Sequence, residues 1–193
     1  MLLLRKPSPE TIRGFLNAQA MLNVTYPAVG ATAAVPPPGY VVDHTRIKLG
    51  EGEQVFAAAR AGIRQWTHFS LGWAEAFPRD TPIEVGQVVA VLARSLGCWW
   101  LNFCRIVYVV QEEGPVKRFG FAYGTLPEHA ESGEERFLIE WDQATGSVCY
   151  DILAFSRPRH FLARLGYPYT RIVQKRFARD SAATMRQAVG MEN

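Results

Sequence analysis

The chain has 193 residues, of which 48% are hydrophobic, and its formal net charge is +3. This length supports one domain with a sizeable core, and the Lys and Arg residues form no cluster dense enough to suggest nucleic-acid binding. No apolar run approaches the ~20 residues of a membrane-spanning helix, and only four apolar residues precede the first charge, which is too few for a signal peptide.

The cysteines and the absence of known short motifs also argue against several classes of function. Cys98, Cys104 and Cys149 are odd in number, and no pair has the short spacing of a zinc or redox motif. We therefore expect reduced thiols in a cytoplasmic protein, with no metal and no cofactor. The motifs of nucleotide-binding proteins and of the common hydrolases are absent from the sequence.

The first part of the chain predicts one helix and an irregular lead-in. Ser8 can cap a helix over residues 9–22, in which Ile12, Phe15 and Leu16 recur at helical spacing. Residues 23–39 are rich in Ala, Gly and Pro and predict irregular chain. We therefore expect a single domain over residues 1–193, with a lead-in at 1–38 and a core at 39–193.

The core begins with a predicted strand over residues 40–49, followed by a turn and a helix. A shorter element is predicted over residues 69–77. Several strands then follow one another, which predicts antiparallel pairing because short turns join them. The helix carries a stripe of small and apolar residues, namely Val55, Ala59, Gly62, Ile63 and Trp66. The later strands are expected at residues 82–95, 99–111, 117–126, 134–141 and 147–156.

Two helices are predicted after the last strand. The first is short, runs from Pro158 to about residue 165, and is stopped by Gly166 and Pro168; the second is long and covers residues 170–188. The basic excess of the chain lies mostly within residues 157–179, and the solvent face of the long helix is expected to carry Lys175, Arg176, Arg179 and Arg186. Its buried stripe is expected to consist of Val173, Phe177, Ser181, Thr184 and Ala188.

Residues 118–137 have the clearest pattern in the chain. Phe119, Phe121 and Tyr123 alternate with small residues, so their rings share one face of a strand. Glu135 and Phe137 share one face of the next strand. Because a one-residue slip would turn one set outward, we predict that Phe121 lies opposite Phe137 and Tyr123 opposite Glu135.

This register places Glu135 among aromatic rings. A bare carboxylate there is costly unless it is hydrogen-bonded or protonated, and the hydroxyl of Tyr123 is a natural partner. The alternative is a structural carboxylate that backbone donors or an arginine satisfy. Glu134 points to the opposite face of the strand, so the two glutamates cannot serve one acid/base centre.

The neighbouring strands should add to the same inward face. If the turn after residue 111 pairs Tyr108 with Phe119, the alternation turns Tyr108 inward and Arg105 outward. The inward residues of that strand are then Trp100, Asn102, Cys104, Ile106 and Tyr108. The last strand would contribute Val148, Tyr150, Ile152 and Ala154.

Several long strings of the sequence are also recognisable. The chain contains YPAVGAT, PPPGYVVDHTRIKLGEGE, FSLGW, FAYGTLPEHAESGEERF and AFSRPRHFLARLGYP, followed by QKRFARDSAATM. These strings closely resemble domain of unknown function 1990, also catalogued as uncharacterised protein family 0548, over nearly the whole chain. The family is similar to the helix-grip superfamily of START and birch-allergen-like domains. The resemblance implies an α+β fold in which a curved antiparallel sheet wraps around a long C-terminal helix, and it implies no catalytic residues.

A curved sheet that grips one helix leaves space between them. An apolar lining with a few polar groups is the usual chemistry of a small-molecule pocket, so we predict binding of a small apolar or amphipathic molecule. The alternative is that the bulky side chains fill the space completely. The candidate pocket residues are Asn102, Tyr108, Phe121, Tyr123, Glu135, Phe137, Tyr150 and Phe177.

Other functions remain open from the sequence. An enzyme of cyclase or dehydratase type could use Tyr123 and Glu135. An interaction protein could dock a partner on the basic C-terminal region, with Arg157 and Arg159, and on the loop at residues 126–133. His129 stands near Glu128, Glu131 and Glu134, but the spacing matches no known metal motif, and we expect a solvated loop. The other histidines, His44, His68 and His160, belong to no catalytic motif.

Overall fold

The computed structural model describes residues 1–159 and 166–190. Its strands are β1 (Leu2–Leu3), β2 (Val41–Glu51), β3 (Ala74–Phe77), β4 (Val88–Ser95), β5 (Cys98–Glu112), β6 (Val116–Thr125), β7 (Glu131–Asp142) and β8 (Ser147–Pro158). Its α-helices are α1 (Pro9–Gln19), α2 (Gly52–Arg64) and α3 (Tyr167–Ala188), with short 3-10 turns at Ala31–Ala33 and Thr67–Phe69. The short helix predicted after Pro158 falls on residues 160–165, outside the described residues.

One antiparallel sheet organises the described chain. Its strand order is β2-β8-β7-β6-β5-β4-β3, and β1 pairs with the N-terminal end of β5. The predicted meander is therefore confirmed for β4 to β8, and β3 adds a strand beside β4, while β2 returns to pair with β8 at the far edge. With α2 and α3 on its inner face, the sheet has the helix-grip arrangement that the resemblance implies.

The register of the central hairpin agrees with the prediction. Phe121 lies opposite Phe137, and Tyr123 lies opposite Glu135. The prediction for the preceding pair of strands is wrong, because β5 contains a bulge between Ile106 and Tyr108. Residues after a bulge change faces, so Tyr108 lies opposite Ala122 rather than Phe119 and points to the outer face.

The helices take two different positions. Ser8 caps α1 by accepting a hydrogen bond from the backbone nitrogen of Thr11 at 3.2 Å, and Ile12 and Leu16 pack on the outer face of β4 and β5. Helix α2 packs on the inner face through Phe56, Ala59 and Ile63. All helices within the described ranges are too short or too polar to cross a membrane.

Helix α3 starts earlier than predicted. Pro168 lies in its first turn, where a proline costs no hydrogen bond, so this residue belongs to the long helix. The buried stripe also differs at its C-terminal end. Ser181 is buried as expected, together with Ala182 and Met185, whereas Thr184 is half-buried and Ala188 is exposed.

The inner core is filled at one end of the sheet. Leu49, Ile139 and Tyr150 meet α2 and the C-terminal half of α3 there. A Cβ placed on Gly62 would lie 3.3 Å from the Met185 side chain, so the glycine allows α2 and α3 to pack closely. An aromatic layer follows next to this core, formed by Trp66, His68, Phe69, Phe121 and Phe137.

Candidate functional site

Beyond the aromatic layer lies a cavity of about 420 Å³, between the inner face of the sheet and the N-terminal half of α3. The cavity exists because the inward-facing side chains become small toward this end of the sheet. On β8 the series passes from Tyr150 through Ile152 to Ala154 and Ser156. Space that large residues fill at one end of the sheet is therefore left open at the other.

The lining is mainly apolar and partly aromatic. Phe69 and Phe177 face each other with ring centroids 5.0 Å apart, and Tyr123 lies beside Phe69 at 6.2 Å. Further lining side chains are Trp73, Ala74, Val91, Ala93, Trp100, Ile152, Ala154, Val173 and Ala178. This is the composition of a site for an apolar molecule or for the apolar part of a larger one.

A carboxyl and a phenol form the main polar group in the wall. The hydroxyl of Tyr123 donates a hydrogen bond to Oε2 of Glu135 at 2.7 Å. Burial raises the pKa of Glu135 to about 7, despite the opposing effect of that hydrogen bond, and the negative charges of Glu131 and Asp43 raise it further. Burial likewise raises the pKa of Tyr123 well above its ordinary value, so the phenol stays protonated.

A second polar group lies where α3 meets the sheet. Nε2 of Gln174 donates to Oε2 of Glu131 at 2.6 Å and to Oγ of Ser156 at 3.1 Å. Burial raises the pKa of Glu131, partly offset by these contacts. Nearby, Nη1 of Arg171 donates to Oδ2 of Asp43 at 2.6 Å, which ties the first turns of α3 to β2.

The rim of the cavity is formed by the turn between β4 and β5 and by the start of α3. The hydroxyls of Ser95 and Tyr169 are 2.8 Å apart and join these two elements. Leu96, in the turn, is 79% exposed beside this contact. On the other side, Nε1 of Trp73 donates to Asp180 at 2.9 Å, and Arg176 stacks on the Trp73 ring. Polar contacts that water can replace therefore join the elements around the cavity.

The predicted pocket residues divide into three groups. Those that line the cavity are Asn102, Tyr123, Glu135 and Phe177. Those that lie in the filled core are Phe121, Phe137 and Tyr150, all fully buried, and the Tyr150 hydroxyl bonds Ser181 at 3.0 Å. Tyr108 lies on the outer face, where its hydroxyl is 2.7 Å from that of Thr32. The space inside the sheet is thus open at one end and filled by side chains at the other.

The three histidines in the described residues make contacts that hold the fold together. Nδ1 of His129 accepts a hydrogen bond from the backbone nitrogen of Glu131 at 3.0 Å, and burial near the N-terminal ammonium and Arg159 lowers the pKa of His129 to about 3. His68 is fully buried in the aromatic layer, and burial lowers its pKa to about 3 as well. Nε2 of His44 contacts Asp151 on the outer face at 2.7 Å. His160 lies outside the described residues.

No group of side chains suited to a metal ion occurs in the described part of the chain. The carboxylates near His129 in the sequence bind other partners in the structure. Glu131 accepts a hydrogen bond from Gln174, and the carboxylate of Glu134 is held by Tyr26, Gly30 and Thr32.

Sequence reasoning missed several lining residues. Trp73 and Gln174 reach the cavity from elements outside the central hairpin, and Glu131 reaches it from the first residue of β7. Their sequence positions alone do not reveal this convergence. One available signal was the decrease in side-chain size along the inward face of several strands, for instance from Tyr150 to Ser156 on β8.

Comparison with known proteins shows which family this chain resembles. The family model for "Domain of unknown function (DUF1990)" matches residues 25–184. The chain belongs to this family.

Relatives in the DUF1990 family extend along nearly the whole chain. A UPF0548 protein of Dictyostelium discoideum is 40% identical over 209 residues, which covers 98% of this chain and 96% of that protein. A UPF0548 protein of Deinococcus radiodurans is 34% identical, covering 98% of this chain and 100% of the relative. The crystal structure of Ara h 8.0201 aligns with a TM-score of 0.49 at 11% identity, over 80% of this chain and 100% of that chain, and we draw no functional conclusion from it.

Proposed function

We propose that this DUF1990 protein binds a small apolar or amphipathic molecule in the cavity between the sheet and α3. The observation that carries the proposal is the cavity of about 420 Å³, whose wall is apolar except for a few polar groups. Ligand sites commonly enclose about 300–1,000 Å³ and have this composition. An apolar occupant would restore the contacts that the small side chains on this part of the sheet leave unmade.

The position of Ala154 offers a direct test. Ala154 lies opposite Glu135 on the inner face, so Ala154→Phe places a ring inside the cavity. The matched control is Val42→Phe, which adds a ring at a position on β2 that is 48% exposed. Each protein is melted with a panel of straight-chain and aromatic alcohols, amines and acids.

Binding to the folded state raises the melting temperature in proportion to the logarithm of ligand concentration. We expect at least one class of compound to raise the melting temperature of the wild type and of Val42→Phe, but not of Ala154→Phe. Ala154→Leu replaces Ala154→Phe if the larger ring prevents folding. A panel that stabilises none of the proteins, or all of them equally, contradicts the proposal.

A second candidate, catalysis on the bound molecule, is supported by the Tyr123–Glu135 pair. A carboxyl group with a pKa of about 7 can both donate and accept a proton near neutral pH, as a general acid/base requires. For this candidate, Glu135→Gln should abolish turnover of a bound compound while the protein remains folded. Turnover that survives this substitution would exclude the role.

The docking alternative has less support, since its two arginines are engaged within the chain. Arg157 stacks on the ring of Tyr40 at 4.6 Å, and Arg159 donates to the carbonyl oxygen of Pro127.

We further propose a cytoplasmic location, because Cys98, Cys104 and Cys149 are all free thiols. Fractionation of cells that produce the protein tests this point, and recovery in a membrane or secreted fraction would contradict it.

A further inference from the structure

We propose that the molecule bound in the cavity carries a cationic nitrogen, so that the ligand is an apolar amine rather than a fatty acid or a neutral alcohol. This inference rests on the proposed function, because it concerns the same cavity. It follows from the charge and the aromatic rings of the cavity wall.

The charged side chains that line the described wall of the cavity are all acidic. Asp43, Glu131 and Glu135 line the cavity, and none of its lining residues in the described chain is Lys or Arg. Glu134 also borders the cavity, but Tyr26, Gly30 and Thr32 hold its carboxylate at the outer face. Among the described residues, the cavity wall therefore presents carboxyl groups and no Lys or Arg side chain.

The three carboxyl groups differ in their partners. Asp43 forms a bidentate ion pair with Arg171, which is outside the lining, so its charge is compensated. Glu135 accepts from the neutral phenol of Tyr123, and Glu131 accepts from the neutral amide of Gln174. Glu135 is thus satisfied by a hydrogen bond but not by charge, whereas Glu131 also interacts with the charge of Arg171.

This difference selects among ligand head groups. A ligand carboxylate beside Glu135 would face that carboxyl group and Glu131, and the nearby charge of Arg171 is already paired with Asp43, so this head group is unfavourable in a poorly solvated site. An alcohol would gain only a neutral hydrogen bond. An ammonium group would gain a charge-assisted hydrogen bond to Glu135, which is about twice as strong as a neutral one.

The aromatic rings favour the same head group. Tyr123, whose hydroxyl holds Glu135, lies within 6.2 Å of Phe69, and Phe177 lies 5.0 Å from Phe69. The faces of aromatic rings attract cations that approach within about 6 Å of the ring centre. An ammonium beside Glu135 would therefore lie close to the Tyr123 side chain as well as to the carboxylate, while its hydrocarbon part fills the apolar remainder of the cavity.

A pH dependence follows from the state of Glu135. Below pH 7 the group is largely protonated, and an ammonium must displace that proton to pair with it. Amine binding should therefore tighten as the pH rises through about 7. The titratable or charged groups that face Glu135 are Tyr123 on β6, Glu131 on its own strand, Asp43 with its partner Arg171, Cys104 on β5, Tyr150 on β8 and His129 in the loop before β7. Of these, His129 stays neutral in this range because its pKa is about 3.

The experiment compares decylamine, decanol and decanoate, each below its micelle-forming concentration, by calorimetric titration of the full chain at pH 8. The three probes share one hydrocarbon chain and differ in the head group. We expect decylamine to bind about tenfold more tightly than decanol, as one additional charge-assisted interaction implies, and decanoate to bind most weakly. Decanol or decanoate binding as tightly as decylamine would overturn the inference while leaving the proposed function intact. Failure of all three, together with failure of the wider panel, would overturn both.

Two variants identify the group responsible. Glu135→Gln should reduce the preference for decylamine over decanol. It should also remove the increase in decylamine affinity as the pH rises through 7. Glu113→Gln is the matched control, since it removes one negative charge from an exposed residue between β5 and β6. If Glu135→Gln does not fold, Glu131→Gln provides the corresponding test at the second carboxyl group. An unchanged preference in the folded variant contradicts the inference.

Discussion

Glu134 and Glu135 are adjacent on β7, yet they have opposite surroundings. Glu134 points to the outer face, is 2% exposed, and accepts hydrogen bonds from Tyr26, from the backbone of Gly30, and from both the backbone and the side chain of Thr32. Glu135 points to the cavity and, among the described residues, accepts one side-chain hydrogen bond, from Tyr123. The first carboxylate has its acceptor sites occupied by the chain itself, whereas the second has capacity left for a ligand.

The comparison extends to the two faces of the sheet. On the outer face, the segment around Tyr26 and Thr32 lies against β6 and β7, and the ring of Tyr26 packs edge-on against Phe155 at 5.5 Å. On the inner face next to Glu135, small side chains such as Ala154 leave open space. Stability should therefore depend on the outer carboxylate, and ligand binding on the inner one.

The largest expected effect is the loss of stability in Glu134→Gln. The amide would turn an NH₂ group toward the donors of Tyr26, Gly30 or Thr32, leaving buried donors without acceptors. We expect a decrease of about 3 kcal/mol in the free energy of unfolding, measured by urea denaturation. The matched substitution Glu135→Gln should cost far less at pH 8. Equal losses in the two variants would remove the distinction between the glutamates.

A smaller loss is expected for Gly124→Ala. A Cβ at this position would lie 2.1 Å from the hydroxyl oxygen of Tyr26, so the outer segment would have to move. Overpacking of this kind costs about 2 kcal/mol. Gly14→Ala in α1 is the control, because nothing lies within 4 Å of its added Cβ, and alanine should stabilise this helix slightly. A Gly124→Ala protein as stable as Gly14→Ala would show that the outer segment does not pack as described.

The third effect on stability, close in size to that of Gly124→Ala, is a pH dependence at Glu135. Its pKa rises from the ordinary 4.5 to about 7 in the folded protein, so the folded state binds the extra proton between these values. By linkage, stability is lost as the pH rises from 4.5 to 7. Relative to Glu135→Gln, the wild type should therefore lose about 2 kcal/mol between pH 5 and pH 8.

Denaturation of both proteins across this range measures the difference, in which contributions from shared groups such as His68 cancel. A constant difference between the two proteins would mean that Glu135 has an ordinary pKa in the folded state.

The part of the site that rests on strand alternation could be predicted. The rings of Phe121, Tyr123 and Phe137 fix the register of the central hairpin, and the Tyr123–Glu135 hydrogen bond follows from that register. The long C-terminal helix was equally accessible from its periodicity, although its first turn was missed because Pro168 was interpreted as a stop signal.

The rest of the site depends on features that leave no recognisable signal in the sequence. The bulge after Ile106 lies in an unbroken hydrophobic run, so no glycine or turn residue indicates that Tyr108 changes faces. The contact of Gln174 with Glu131 joins residues far apart in the chain and requires the packing of α3 to be known. The cavity itself reflects a balance of side-chain volumes over several strands, which alternation alone does not give.

The most direct test of the central claim is mass spectrometry of the small molecules released when the purified protein is denatured. We predict that the wild type and Val42→Phe release the same small apolar or amphipathic compound in amounts comparable to the protein. Ala154→Phe, whose added ring occupies the cavity, should release little or none. Equal release from all three proteins, or release from none of them, would contradict a ligand site between the sheet and the C-terminal helix.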